Sequence, residues 1–186
     1  MNDVLDDNLQ EGEVISHNVR WAGFWIRVGA TIVDFLVFLL PGGLMIYNLF
    51  SLKSLPLQMV IILVLAFYKP LMEYKYGATL GKMAVGIKVV SHNFGQISLA
   101  QAFTRYIPWA IGQVISIYSY IILFTNADFL SASGMTEIAE VQTNVIPGGI
   151  SYLGTTLILV SVIVVAFTDN KRGLHDMIAD TYCIYK

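Results

Sequence analysis

Arg27 and Asp34 are the two charges in the apolar stretch WIRVGATIVDFLVFLL, Trp25 to Leu40. Seven residues of helix are nearly two turns, so the two side chains share a face about 10 Å apart along the axis. With Gly23 and Ala30 they form one stripe of small and charged residues, which lets a second helix approach and turns the charges toward it, away from lipid. If Arg27 sits at the membrane interface, Asp34 lies about a third of the way into the hydrocarbon, where inserting an aspartate costs about 2.5–3.5 kcal/mol. The gap is too long for a relaxed pair within one helix. Asp34 is therefore expected to find a cation on another segment, Arg105 first, or to hold a proton. Two roles suit it: a structural lock between helices, with Arg27 snorkelling to the headgroups, or a carboxylate that binds an ion or proton in a polar path.

A second group stands in TDNKRGLHDMIADTY, where Arg172, His175 and Asp176 put a guanidinium, an imidazole and a carboxylate within about one turn. A His-Asp pair does not make a metal-dependent hydrolase without several further ligands, and the only other histidines are His17 and His92. These residues are expected to cap the cytoplasmic end of a helix bundle, pairing with backbone or with basic residues of another loop. Lys82 belongs to the same end. It closes GATLGK, Gly77 to Lys82, which is one residue short of a phosphate loop and is followed by Met83 where Ser or Thr is required. Nucleotide binding is not expected, and Gly77, Gly81 and Gly86 are read as points of close backbone approach. No nucleophile and base stand at workable spacing, and no zinc-protease or esterase motif is present. The chain is not expected to be an enzyme, and no metal or cofactor is expected. Cys183 is the only cysteine, so no intramolecular disulfide can form.

Apolar segments must hold these groups in place. Of the 186 residues 56% are hydrophobic and 13% charged, against about 25% charged in a soluble domain. This is the composition of a small integral membrane protein. The basic residues form no dense patch, which argues against a nucleic-acid partner. Residues 1–20 hold five acidic residues and one basic one, Arg20, unlike the basic start of a cleavable signal. They are read as a cytoplasmic tail ahead of a transmembrane domain, 21–186.

Four apolar runs are expected to span the bilayer, at about 21–50, 57–74, 106–124 and 150–167; about 20 residues suffice for each crossing. Pro41, Gly42 and Gly43 are expected to bend or end the first helix, and Pro108 to kink or start the third. Lys and Arg orient the spans. Arg20 and Arg27, then Lys75, Lys82, Lys88 and Arg105, then Lys171, Arg172 and Lys186 mark three cytoplasmic segments, whereas residues 125–149 contain no Lys or Arg. The expected fold is all-α: a four-transmembrane-helix bundle in the plasma membrane, the inner membrane of a bacterium, with both termini cytoplasmic.

The central loop should carry structure of its own. Leu80, Met83, Ala84 and Ile87 fall at helical spacing, so Thr79 to Val85 reads as an amphipathic turn at the interface. GIKVV and GQISL flank SHNF like a short hairpin, to which TYCIY, Thr181 to Tyr185, would add a strand. Ser98 with Gln101 reads as a capping box opening the third helix.

The ordered set WAGFWIRVGATIVD, GATLGKMAVGIKVV, LAQAFTRYI and RGLHDMIADT resembles the RDD family of small membrane proteins, named for one arginine and two aspartates. The resemblance places those residues at Arg27, Asp34 and Asp176, with Arg105 in the family's central loop. Asp180 stands where a small residue, commonly glycine, is usual, and residues 125–149 form a long insertion. The resemblance implies transport, with sodium/proton exchange proposed for some members. Four spans are few for a monomeric carrier, so the expected protein is an oligomeric ion or small-solute transporter, with the bilayer and a second copy or a membrane-protein partner as its surroundings. The rival expectation is a non-transporting assembly protein that recruits a larger complex.

Overall fold

The computed structural model describes residues 19–146 and 148–186, so the expected acidic tail lies outside the described residues except for Val19 and Arg20. Helix α1, Phe24–Tyr47, continues through Pro41 and into a π-helical turn, Asn48–Leu52. The expected break at Pro41 to Gly43 does not occur. In hydrocarbon an interrupted helix would strand backbone donors and acceptors, so proline and glycine are carried within the helix. The reversal comes at Asn48, which is fully buried. Its side chain accepts the Ser54 N–H at 3.0 Å and donates to the Ser54 carbonyl and to Gln58 Oε1, both at 2.9 Å. Lys53 completes the turn in the left-handed region at φ 47°.

Helix α2, Leu55–Tyr76, opens on a Ser54 cap and stops at Gly77, whose φ of 69° favours glycine. The short α3, Leu80–Ala84, follows on a Thr79 cap, in the place expected for an amphipathic turn. Strand β1, Ile87–Ser91, leads to α4, Leu99–Thr125. The Ser98 and Gln101 capping box is formed, and Pro108 lies inside the helix, not at its start. Two short helices, α5, Ala127–Ser131, and α6, Met135–Val145, precede α7, Gly148–Phe167; α8, Leu174–Ile178, and β2, Thr181–Tyr185, complete the order.

Among the described residues, three helical segments are long and apolar enough to cross a membrane: Phe24–Leu52, Leu55–Tyr76 and Leu99–Thr125. Helix α7 occupies the fourth apolar run. Large apolar side chains such as Leu40, Val64 and Val114 stand outward on the helices, as a lipid-facing surface requires. Helix α4 is the spine, with α2 and α7 packed along it; α1 packs mainly on α3 and touches α2 and α7 only sparsely.

The two ends of the bundle differ. At one, β1 pairs antiparallel with β2, Val89 opposite Cys183, and Trp21 bridges to Ile184. The sequence expectation of a hairpin between GIKVV and GQISL is corrected here. Phe94, at φ 59°, turns the chain so that Ser91 donates to the Gly95 carbonyl at 2.9 Å, and the residues after it run directly into the α4 cap. The strand TYCIY takes the pairing edge of β1 instead. At the other end α5 and α6 close over an apolar cluster of Leu123, Phe124, Phe129, Ile138 and Ile146. Lys53 Nζ ties this cap down, donating to the carbonyls of Phe129, Leu130 and Ala132 at 2.8, 3.0 and 2.5 Å.

Candidate functional site

Five charged side chains from five different elements meet at the ribbon end. Arg27 on α1 donates to Asp176 Oδ2 on α8 at 2.5 Å. Arg105 on α4 donates to the other oxygen of Asp176, to Thr181 Oγ1 at 2.5 Å and, through Nε, to Glu73 Oε2 on α2 at 2.9 Å. Lys82 on α3 donates to Glu73 Oε1 at 2.5 Å. Arg105, Glu73 and Asp176 are all 0% exposed, so this alternating chain of cations and carboxylates lies away from water. In that setting each charge depends on its partners for compensation. Arg27 adds bonds to the carbonyls of Ala22, at 2.9 Å, and Lys171, at 2.6 Å; it is buried and does not snorkel.

Asp176 and His175 show the electrostatic result. Burial works against the Asp176 carboxylate, but the guanidinium of Arg105, then that of Arg27, and the Gly173 N–H outweigh it and hold the carboxyl well below the usual range. Burial holds the His175 imidazole well below its usual value against the pull of Asp176. It is thus neutral at pH 7. Its Nδ1 lies 2.7 Å from Ser161 Oγ, and Trp109 meets it edge-on. Ser161, His175 and Asp176 superficially suggest a nucleophile, base and orienting acid. Yet Ser161 is 1% exposed, its Oγ already accepts the His175 N–H, and His175 Nε2 is a long 3.4 Å from Asp176. The group holds α8 against α7. Arg172 lies at the edge of the buried chain, donating to the Asp176 carbonyl at 3.3 Å and pairing at 3.0 Å with Asp180, whose side chain is 64% exposed. Asp180 sits at φ 47°, a region that favours glycine and that aspartate is among the residues to tolerate.

Asp34 does not pair with Arg105, contrary to the sequence expectation, because Glu73 and Asp176 occupy that guanidinium. Its Oδ1 accepts from the Tyr68 hydroxyl at 3.0 Å and the Gly81 N–H at 2.7 Å, and its Oδ2 from the Thr79 hydroxyl at 2.6 Å. The neighbour that the Gly23, Arg27, Ala30, Asp34 stripe admits is the short α3, not another spanning helix. The approach is so close that a Cβ on Gly81 would stand 2.0 Å from the Ala30 carbonyl oxygen. Of the three glycines read as close approaches, Gly81 is one and Gly77 another, since a Cβ there would stand 3.3 Å from the Val89 carbonyl oxygen; Gly77 and Gly86 also take positive φ, at 69° and 72°. Among the described residues no Lys, Arg or His nitrogen lies within 4.0 Å of the Asp34 carboxylate.

Asp34 borders a cavity of about 540 Å³ between α1, α2, α4 and α7, lined also by Phe38, Tyr68, Lys69, Trp109 and Val162. A second cavity, of about 360 Å³, shares Tyr106, Trp109, Gln113 and Ile158 with the first and reaches Ser116, Tyr120 and Gln142 near the helical cap. Together they border α4 from Tyr106 to Tyr120, about 21 Å of axis. The first lies where α1 stands off from α2 and α7 and leans on α3; the second lies between α4, α6 and α7.

Sequence reasoning missed Glu73 and Lys69. Both lie at the far end of an apolar run, where charges read as an interfacial flank; the usable signal was their one-turn spacing around Pro70, which puts two opposite charges on one side of a spanning helix.

Residues 21–180 match the RDD family. Among curated relatives, the chain is 33% identical to the uncharacterized protein YckC of Bacillus subtilis over 165 residues, 88% of this chain and 84% of that one. It is 27% identical to the uncharacterized membrane protein YteJ of the same organism, covering 95% and 87%. No solved structure matches.

Proposed function

The chain belongs to the RDD family, and from that premise we propose that it is a transporter of an ion or small solute whose path runs through the interhelical cavities. The observation that carries this reading is Asp34, a carboxylate on a cavity wall inside a candidate span, with no cation within 4.0 Å of it among the described residues. An ionised carboxylate offers about four acceptor positions, of which three are filled here by neutral donors. The fourth is left for a proton, a metal cation or a donor group of a solute. Sodium/proton exchange is the form that the family resemblance implies, with Asp34 as its carboxylate and the Arg27, Asp176, Arg105, Glu73, Lys82 chain as the rigid frame that fixes α3 against it.

In this reading α7 is the fourth span, the ribbon end with Lys75, Lys88 and Arg172 is cytoplasmic by the distribution of positive charge, and the membrane is a bacterial inner membrane. The chain acts without enzymatic chemistry and assembles as an oligomer, since four spans are few for a carrier.

The test is flux in proteoliposomes under a pH or sodium gradient, wild type against Asp34→Asn. Asparagine keeps an acceptor for Tyr68 or Gly81 and removes the charge, so gradient-driven flux should vanish while the thermal transition persists. Undiminished flux in the variant would discard the mechanism. Silent wild-type vesicles, with one larger complex repeatedly captured from membranes, would replace it with the assembly role.

A further inference from the structure

Asp34 is not the only charge on the cavity wall without an ionic partner. Lys69, two turns from the end of α2, lines the same space. Its Nζ lies over the Trp109 ring, 2.9 Å from the centroid. Among the described residues it makes no hydrogen bond and meets no carboxylate within 4.0 Å. Glu73, one turn away on the same helix, has one oxygen on Lys82 and the other on Arg105, and Asp34 is on Tyr68, Thr79 and Gly81. The ammonium thus keeps three donors and the carboxylate one acceptor position, on one cavity, and the two do not meet. The wall also carries Lys82, whose charge Glu73 compensates, and the neutral polar side chains of Thr31, Tyr106 and Gln113; Phe35, Phe38, Leu65 and Val162 make it mainly apolar elsewhere. At about 540 Å³ the space falls within the roughly 300–1,000 Å³ typical of small-molecule sites.

The geometry points to a small zwitterion with an apolar body, of the α-amino-acid type, as the solute this cavity takes: its carboxylate on Lys69, its ammonium on Asp34 and its side chain among Phe35, Phe38 and Leu65. The argument is one of charge. In a low-dielectric cavity an unpaired ammonium and an unpaired carboxylate are each costly. A lone anion would satisfy Lys69 and be repelled by Asp34, and a lone cation the reverse. A molecule carrying both charges compensates both walls and adds no net charge to the membrane interior. The Trp109 face holds the Lys69 ammonium by cation–π attraction when the cavity is empty. This inference rests on the cavity being the transport path and adds the class of solute to it.

Trp109 supplies the readout, because the chain has three tryptophans and Trp21→Phe with Trp25→Phe leaves it alone. Full-length protein in nanodiscs should be titrated with phenylalanine, phenethylamine and 3-phenylpropionate, following Trp109 emission excited beyond the probes' own absorption. Phenylalanine should shift the emission saturably and bind at least tenfold tighter than either half-molecule, since each half leaves one wall charge uncompensated. Lys69→Gln should reduce phenylalanine to the level of phenethylamine, and Asp34→Asn to that of 3-phenylpropionate. The inference is overturned if 3-phenylpropionate equals phenylalanine, which leaves an anion site alone, if phenethylamine does, which leaves a cation site alone, or if no saturable shift occurs. The comparison of three probes in the unmutated cavity decides the matter even if a variant fails to fold. Absent binding beside persistent Asp34-dependent proton or sodium flux would refute the zwitterion and spare the transport reading; binding without flux would do the opposite.

Discussion

Replacing Asp176 with asparagine removes one charge from the middle of the buried chain. The carboxylate is 0% exposed and accepts from Arg27 at 2.5 Å, from Arg105 and from the Gly173 N–H at 2.9 Å. In the variant the amide oxygen can still accept from one guanidinium but carries no charge, so Arg27 has no carboxylate against it and Arg105 has only Glu73, which it shares with Lys82. Removing one partner of a buried pair costs about 3–5 kcal/mol, and for chains of about 150–250 residues each kcal/mol moves Tm by about 2–4 °C. The expected loss is about 6–20 °C. Asp180→Asn is the internal control: its pair with Arg172 has a side chain 64% exposed, is worth at most about 1 kcal/mol, and should cost no more than about 4 °C. Thermal unfolding of both variants in one detergent, read by tryptophan emission, makes the comparison. If Asp176→Asn melts within about 4 °C of Asp180→Asn, the buried chain does not hold the ribbon end together and the reasoning fails.

Acidification should destabilise the protein through His175. Burial keeps its folded-state value below the unfolded one, so the stabilisation is complete above about pH 6.5 and falls as the pH drops toward the depressed value, by up to about 1.4 kcal/mol per pH unit. Melting curves from pH 7.5 to 5 should show this, and His175→Asn, which keeps a polar atom for Ser161, should flatten the slope. Gly81→Ala places a methyl 2.0 Å from the Ala30 carbonyl oxygen, so α3 must leave α1; the variant should accumulate poorly in membranes and melt at least as low as Asp176→Asn. Lys53→Met frees three carbonyls at the helical cap, and limited proteolysis should then cut between α5 and α6 at least tenfold faster, with little change at the ribbon end.

The spans were legible because hydrocarbon imposes length and apolarity on every crossing, and the Ser98 and Gln101 cap because its partners are three residues apart. Strand pairing was half legible. TYCIY and GIKVV carry β-favouring residues, but nothing local in them says that they join each other across the intervening helices, and GQISL, with Ile97 its one β-branched residue, follows a turn without pairing. The charges show the same limit. Arg27, Arg105 and Asp176 stand out as polar residues where lipid or burial was expected, yet which carboxylate meets which guanidinium is set by the packing of α2, α4 and α8. Arg105 was assigned to Asp34 from the sequence because Glu73, the acid that reaches it, lay where an interfacial charge is ordinary. Asp34 in turn found hydroxyls and an amide, which hydropathy does not weigh.

The acid that compensates Arg27 lies 149 residues further along the chain. A ribosome therefore delivers the first helix, with its guanidinium, long before the carboxylate that neutralises it, and every intervening element is made in the meantime. Assembly of the ribbon end is thus a final, single closure: β2 zips onto β1 as Asp176 arrives between two waiting cations. A chain halted between Phe167 and Asp176 would hold all its long apolar helices, with Arg27 lacking any carboxylate and Arg105 left with Glu73 alone, which is the difference a membrane protease could use to tell unfinished copies from finished ones.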